Sequence, residues 1–244
     1  MGEPVIIYGR QPVWEALRAR HTVKTLYLTS GEGKIIRRIQ EKARTLQIPI
    51  HKTSKDALQK LTGPVVHQGI AAEIGAVMPG DQQALLEYLS QKEAPFVVIL
   101  DQIQDPHNVG AIIRSAEVAG AHALVLGAKG SPEINATIVK TSVGAVFHLP
   151  LFRVARLDDL IEQFNEQGIY TVALKEGNPT PMYHLDLRRA VALITGNEGQ
   201  GVRKNILRLC RGVLSIPQQG RIGSLNASVA AAVALFEVVR QRQD

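Results

Sequence analysis

Apolar positions along this chain follow two alternating rhythms, a short unbroken run and a recurrence every three or four residues. Pro95 to Leu100 (PFVVIL) is a continuous β-branched and aromatic run ended by turn residues, which predicts a buried strand. Asp105 and Pro106 then punctuate the chain. Val109, Ile112, Ile113, Ala116 and Ala119 recur at spacings of three and four, as one face of a helix does. At about 100° per residue, Arg114 projects away from that face, and Asn108 lies near the helix start with its amide free for the loop. Composition leaves two readings open here: a solvated helix arginine with a capping asparagine, or a pair of functional side chains.

The same alternation organises the whole chain. Up to Gly75 the pattern gives YGRQPVWEALRAR (helix), TLYLTS (strand), GKIIRRIQEKARTL (helix), IPIHKTS (strand), KDALQKLT (helix) and HQGIAAEIG (strand). That predicts a compact α/β domain over residues 1–75. Residues 76–94, starting near Val77-Met-Pro-Gly-Asp and including a polar helix-like stretch, read as a linker. From 95 to 244 the order is FVVIL, HNVGAIIRSAEVAG, ALVLG, NATIVKTSVGA, HLPLFRV, LDDLIEQFNEQG, YTVALK, AVALITG, VRKNILRLC, GVLSIP and a final helix. Strand and helix in this succession predict an α/β fold whose sheet is mainly parallel, with helices on both faces.

Composition narrows the function classes. The N-terminus has no basic run leading into an apolar stretch, and position 6 is Ile where a myristoylation signal needs Ser or Thr. No segment is apolar for long enough to span a bilayer, so a reducing, cytoplasmic setting is the expectation. Cys210, the single cysteine, excludes an intramolecular disulfide and any multi-cysteine zinc site, and its expected role is packing. Residues 1–75 hold 12 Lys and Arg against 6 Asp and Glu, and residues 76–244 hold 16 of each, so the formal excess of +6 sits in the first third. Lys24, Lys34, Arg37, Arg38, Lys42 and Arg44 lie close together, several on the helix predicted from Lys34 to Leu46. Such a face suits phosphates, though a merely solubilising basic surface has the same composition.

Candidate chemistry concentrates in loops after strands. GNEGQG, Gly196 to Gly201, is spaced G-x-x-G-x-G and comes late in the chain, which argues against a dinucleotide fingerprint; no P-loop and no H-E-x-x-H occur, and the histidines do not cluster at metal-ligand spacing. LITGNEGQGV places Glu198 among glycines directly after an apolar strand, where backbone can approach a ligand and a carboxylate can project over it. IPQQGRIGSLNASVAAAVALFEVVRQR puts Ser224 and Asn226 just ahead of an alanine-rich helix. Each alone has a plain alternative, a helix cap or a loop carboxylate. Three such loops at the C-terminal ends of strands are where open α/β sheets bind ligands.

NVGAIIRSA, ITGNEGQG and IGSLNASVA resemble, in order and spacing, the three motifs of the SpoU family of S-adenosylmethionine-dependent RNA ribose 2′-O-methyltransferases within the SPOUT superfamily. YGRQPVWEAL and HQGIAAEI are similar to the two signatures of the N-terminal domain in bacterial members that act on a guanosine ribose of large-subunit (23S) rRNA. Asn197 stands where a small residue is common, and Ala227 where valine is common. The resemblance implies a deep C-terminal trefoil knot with S-adenosyl-L-methionine in the knotted crevice, a ribosomal-protein-like RNA-binding domain, and a homodimer formed through the catalytic domain; neither metal nor membrane is expected from the residues themselves. It implies catalytic roles for Arg114, Glu198, Asn108, Ser224 and Asn226. Cofactor contacts are expected around Leu174, Thr195, Gly196, Asn197, Gly201, Ile216 and Leu225. A tRNA 2′-O-methyltransferase and a catalytically idle RNA-binding or ribosome-assembly protein of the same fold are the alternatives.

Overall fold

The computed structural model describes residues 4–29, 33–221 and 223–243. Ile222, the first residue of the third motif, lies outside them. In chain order the elements begin β1 (Val5–Tyr8), α1 (Arg10–Arg18), β2 (Val23–Leu28), α2 (Lys34–Thr45), β3 (Ile50–Lys52), α3 (Lys55–Thr62) and β4 (Ile70–Ile74). There follow α4 (Gln82–Leu89), β5 (Phe96–Asp101), α5 (Pro106–Val118), β6 (Ala123–Gly127), α6 (Ala136–Thr141), β7 (Leu151–Val154) and α7 (Leu157–Glu166). The chain continues with β8 (Tyr170–Leu174), β9 (Val191–Gly196), α8 (Lys204–Leu209), β10 (Gly212–Leu214) and α9 (Ala227–Gln243).

The chain divides into two compact units. The first comprises Met1–Met78 with Ile134–His148; the second comprises Pro79–Glu133 with Leu149–Asp244. In the first unit four strands form a sheet in the order β1-β4-β2-β3, with β4 antiparallel to both neighbours and β2 parallel to β3. Ile7, Leu26 and Ala72 align across the ladder, and all three are buried. Helices α1 and α2 pack on one another, burying Val13, Ala16, Leu17, Ile36 and Ile39. The four-residue β1 is too short for its alternation to stand out in the sequence, which reads that stretch only as the approach to the first helix. Residues Ile134–His148, assigned from sequence to the second domain, group with the first unit. There His148 Nε2 is 2.8 Å from Oε2 of the buried Glu15, and the Lys140 ammonium lies over the Tyr8 ring at 5.5 Å. Polar pairings across more than a hundred residues leave no trace in local periodicity.

The second unit is built on a six-stranded, all-parallel sheet in the order β10-β8-β9-β5-β6-β7. Its central strands β5 and β9 are buried at every position, as strands covered on both faces must be. The stretch read as a polar connector contains α4, capped by Asp81, whose side chain accepts from Ala84 N at 2.9 Å. It buries Leu85 and Leu89 in the core with Val97, Phe152, Leu160 and Phe164. Only two of its eight residues are buried, which is why the pattern resembles a connector. Helix α5 starts as its sequence dictates: Asp105 accepts from His107 N at 2.9 Å, and Pro106 occupies the first turn, where no backbone donor is needed. Helices α5 and α9 pack together, which brings the start of α9 to the loop end of the sheet.

Candidate functional site

At the C-terminal ends of β8, β9 and β10 the second unit encloses a cavity of about 310 Å³. Leu174 closes β8, Thr195 and Gly196 close β9, Leu214 closes β10, and Ser215 and Ile216 follow it. Asn197, Glu198, Gly199, Gln200 and Gly201 form one lip, with Ser224 and Leu225 on the other. Every position expected from sequence to contact a cofactor (Leu174, Thr195, Gly196, Asn197, Gly201, Ile216, Leu225) lines this one cavity. Lys175, Glu176 and Gln218 line it as well and were not foreseen. The sequence does carry a signal for Lys175 and Glu176, since both directly follow the strand YTVAL at the end where such sheets bind ligands.

Gly196 and Gly201 explain the shape of the lip. A β-carbon on Gly196 would fall inside the backbone of Gly201 and Val202, so only glycine permits that approach. Gly201 adopts φ of 66°, the left-handed region. Gly201 N donates to Asn197 O at 2.7 Å, and Asn197 ties the turn with Gly199 N donating to its Oδ1 at 2.9 Å. Asn197 Nδ2 reaches Gln102 O at 3.2 Å, anchoring the lip to the loop after β5. Asn197 therefore departs from the small residue common in the motif by adding two hydrogen bonds to the turn. Below the lip, fully buried Asp101 accepts from Arg203 N at 2.9 Å and Arg203 Nε at 2.7 Å. Both ends of the glycine loop are thus pinned to the β5 side of the sheet.

Glu198 gathers the polar side chains. Its Oε1 accepts from Asn108 Nδ2 at 2.8 Å, from Asn226 Nδ2, and from Ala227 N at 3.4 Å. Asn226 Nδ2 also donates to Asn108 Oδ1 at 3.0 Å. Residues 90 and 118 positions apart are joined in one network, held in place because α5 packs on α9. The carboxylate's other oxygen has no hydrogen-bond partner among the described residues, and Glu198 lines the cavity. Asn226 also caps α9: its Oδ1 accepts from Ser228 N at 2.9 Å and Val229 N at 3.3 Å. Ser224 borders the cavity without a hydrogen bond among the described residues.

Arg114 stands apart from this network. It is exposed on α5 and makes no hydrogen bond or ion pair with any described residue. Six positions beyond Asn108, it sits ~9 Å further along the helix axis and about 120° around it. Cys210 Sγ donates to Ile206 O at 3.2 Å, and burial pushes its thiol up to about 12, as a packing cysteine requires. No group of three or more His, Cys, Asp or Glu able to hold a metal occurs among the described residues. No helix there is long and apolar enough to cross a membrane. The site combines a close-approach backbone, apolar walls and two carboxylates, and so can hold a ligand with a flat apolar part and a cationic part.

Residues 95–236 match the model of the SpoU rRNA Methylase family, and residues 6–79 match that of the RNA 2′-O ribose methyltransferase substrate-binding domain. Among curated proteins, the chain is 37% identical over 225 residues to a 23S rRNA (guanosine-2′-O-)-methyltransferase, RlmB, of Xylella fastidiosa, covering 92% of this chain and 90% of that one. It is 35% identical to an uncharacterised tRNA/rRNA methyltransferase of Synechocystis, covering 97% of this chain but 62% of that relative's length. Among solved structures, the SpoU methyltransferase AviRb of Streptomyces viridochromogenes, in complex with the cofactor AdoMet, superposes with a TM-score of 0.81 at 28% identity, covering 98% and 91% of the two chains.

Proposed function

This chain belongs to the SpoU rRNA methylase family, and we propose that its substrate is the ribose 2′-hydroxyl of a guanosine in large-subunit ribosomal RNA. The enzyme class is RNA 2′-O-ribose methyltransferase, and its cofactor is S-adenosylmethionine. The guanosine and the ribosomal target are supported by the name of the Xylella relative and by the match of both domains along the chain. The observation that carries the reading is the convergence of Asn108, Glu198 and Asn226 on the rim of a glycine-lipped cavity.

The cavity fits the cofactor. The Gly196 cradle leaves backbone open to the ligand, while Leu174, Leu207, Leu214, Ile216 and Leu225 offer apolar walls for an adenine. Glu176 and Glu198 line the cavity and would supply negative charge to a bound sulfonium and ammonium. When bound, the cofactor supplies an electrophilic methyl group. The protein's remaining task is to hold a ribose hydroxyl in line with that methyl and to help it lose a proton.

We assign the residues as follows. Asn108 and Asn226 fix the Glu198 carboxylate through Oε1, leaving the other oxygen to receive the hydroxyl proton directly or through water. Ser224 orients the ribose from the opposite lip. A guanidinium offers only donors, so Arg114 is assigned no part as base; its exposed fork clamps the neighbouring phosphate and stabilises the developing alkoxide. Val118 on α5 and Val229 and Phe236 on α9 are exposed apolar side chains on two helices that pack together, and we propose that this helix pair joins two copies of the chain.

Incubation of unmodified ribosomal RNA and transfer RNA with radiolabelled methyl donor tests the substrate. The expected product is a single 2′-O-methylguanosine in large-subunit rRNA. Label confined to transfer RNA would overturn the target while keeping the class, and absence of label in either RNA would overturn the activity.

A further inference from the structure

We infer that the enzyme holds its RNA at a second place, a row of cations on the N-terminal rim of the parallel sheet, at the opposite end of the strands from the cofactor cavity. The sheet order sets the row out. Arg211 precedes β10; Tyr170 opens β8; Arg189 lies two residues ahead of β9; Phe96 opens β5; His122 precedes β6. At a strand spacing of about 4.8 Å, these five neighbouring strands spread the row over ~19 Å. The length of β5 places it roughly 20 Å from the cavity.

Two of the guanidinium groups are held ready by aromatic rings. The Arg189 guanidinium lies 3.9 Å from the Tyr170 ring centroid, and that of Arg242 lies 5.2 Å from Phe96. Arg242 Nη2 donates to Arg189 O at 2.9 Å, which links the two, and its Nε is buried without a partner. Arg211 Nη2 donates to Asn165 O at 2.6 Å. Lys92, over the Tyr88 ring at 4.9 Å, closes the row next to His122, whose Nδ1 accepts from Phe96 N at 2.9 Å. His122 registers the local field: burial, then the charges of Lys92 and Arg242, hold its imidazole below the usual range.

Cations beside the row are ion-paired with carboxylates, whereas those in it are not. Arg188 pairs with Asp186, and Arg240 with Glu237. Lys92, Arg189, Arg211 and Arg242 form no ion pair with any carboxylate among the described residues. Asp186, three positions before Arg189, gives its hydrogen bonds to Arg188 and reaches Arg189 only through space, as a weaker charge interaction, and Glu93, next to Lys92, makes no ion pair with any of the four. Like charges gathered without an ion-paired carboxylate leave a net positive field, and guanidinium groups immobilised on rings lose little further freedom on binding a phosphate. An RNA phosphate backbone supplies the missing counter-charge in a linear form that matches a row. The inference rests on the proposed RNA substrate and extends it: the RNA reaches around the catalytic unit and is not met at the crevice alone.

The test compares the full-length chain with Arg189→Ala, Lys92→Ala and Arg189→Glu on in-vitro-transcribed large-subunit rRNA, reading RNA affinity against salt, KM and kcat for methyl transfer, and S-adenosylmethionine affinity. Each alanine variant should bind RNA ~3–10-fold more weakly, and the plot of log affinity against log salt should become shallower by about 1 for each phosphate no longer neutralised. Charge reversal should weaken binding further. KM for RNA should rise while kcat and cofactor affinity stay at the parent values. Wild-type RNA affinity and salt slope in Arg189→Glu would overturn the rim site. A parent enzyme that binds RNA without methylating it would instead refute the proposed function, leaving the rim legible in the binding data alone.

Discussion

Asn226 uses both ends of one amide: Oδ1 caps α9 through Ser228 N and Val229 N, while Nδ2 grips Glu198 and Asn108. Sequence offers cap and site residue as rivals for this asparagine, and the geometry joins them, because the helix start is also where the carboxylate lies. Gly196 is the least replaceable residue of the lip. Gly196→Ala should weaken S-adenosylmethionine binding at least ~tenfold and lower stability by about 1–3 kcal/mol, since the added carbon meets backbone that has nowhere to go. Isothermal calorimetry and a thermal melt read both numbers, and parent-like cofactor affinity would show that the lip is more pliable than its packing indicates. Cys210, with its thiol pushed up to about 12 by burial, should hold almost no thiolate near neutral pH. Native protein should therefore resist iodoacetamide in a mass-spectrometric time course and react once unfolded; fast labelling of the native state would contradict that burial.

At the scale of elements, the strands and helices that frame the cavity are legible because their patterns are strong. FVVIL and VALITG read as buried strands and are buried throughout, and the helix from Pro106 begins at its Asp-Pro signal. The departures share a cause. Elements placed by a few long-range packing partners, such as β1, α4 and the segment Ile134–His148, carry too little local periodicity to announce themselves. The same holds for Asp101 and Arg203, a pair 102 positions apart that anchors the end of the glycine loop. Arg203→Ala leaves Asp101 buried with only a backbone donor and should cost about 3 kcal/mol, measured by urea denaturation. Helix α9 is fastened in a comparable way at its far end, where Gln241 Oε1 accepts from Leu187 N at 2.8 Å and Nε2 donates to Leu185 O at 3.0 Å. Gln241→Ala orphans a buried donor, so the expected loss is about 2 kcal/mol, or a melting temperature ~4–8 °C lower.

For the whole molecule, charge and apolar surface point to its partners. The basic excess of the first third, visible in the sequence, falls in the region that matches the RNA substrate-binding model. The rim cations of the second unit are hidden from any count, because residues 76–244 are neutral in sum and only the fold separates paired from unpaired charges. Local periodicity does not show that α5 and α9 pack together while leaving Val118, Val229 and Phe236 exposed. Phe236→Asp should shift the chain from dimer to monomer in analytical ultracentrifugation, and a monomeric parent would remove the basis for that proposal. The knotted path implied by the family resemblance is likewise our proposal, supported by the way Gly196, Val202, Ser215 and Leu225 meet around one cavity.

Arg114 offers the most direct measurement. In the proposed assignment the crevice holds the cofactor and Glu198 takes the proton, so the alkoxide's charge falls to Arg114, which makes no hydrogen bond or ion pair with any described residue. Single-turnover methylation of unmodified large-subunit rRNA by Arg114→Ala should fall at least ~100-fold, with S-adenosylmethionine affinity and melting temperature unchanged, and Arg114→Lys should recover little of the loss because a point charge lacks the planar fork. Turnover by Arg114→Ala within a few-fold of the parent enzyme would contradict the role assigned to this arginine and the chemistry built around it.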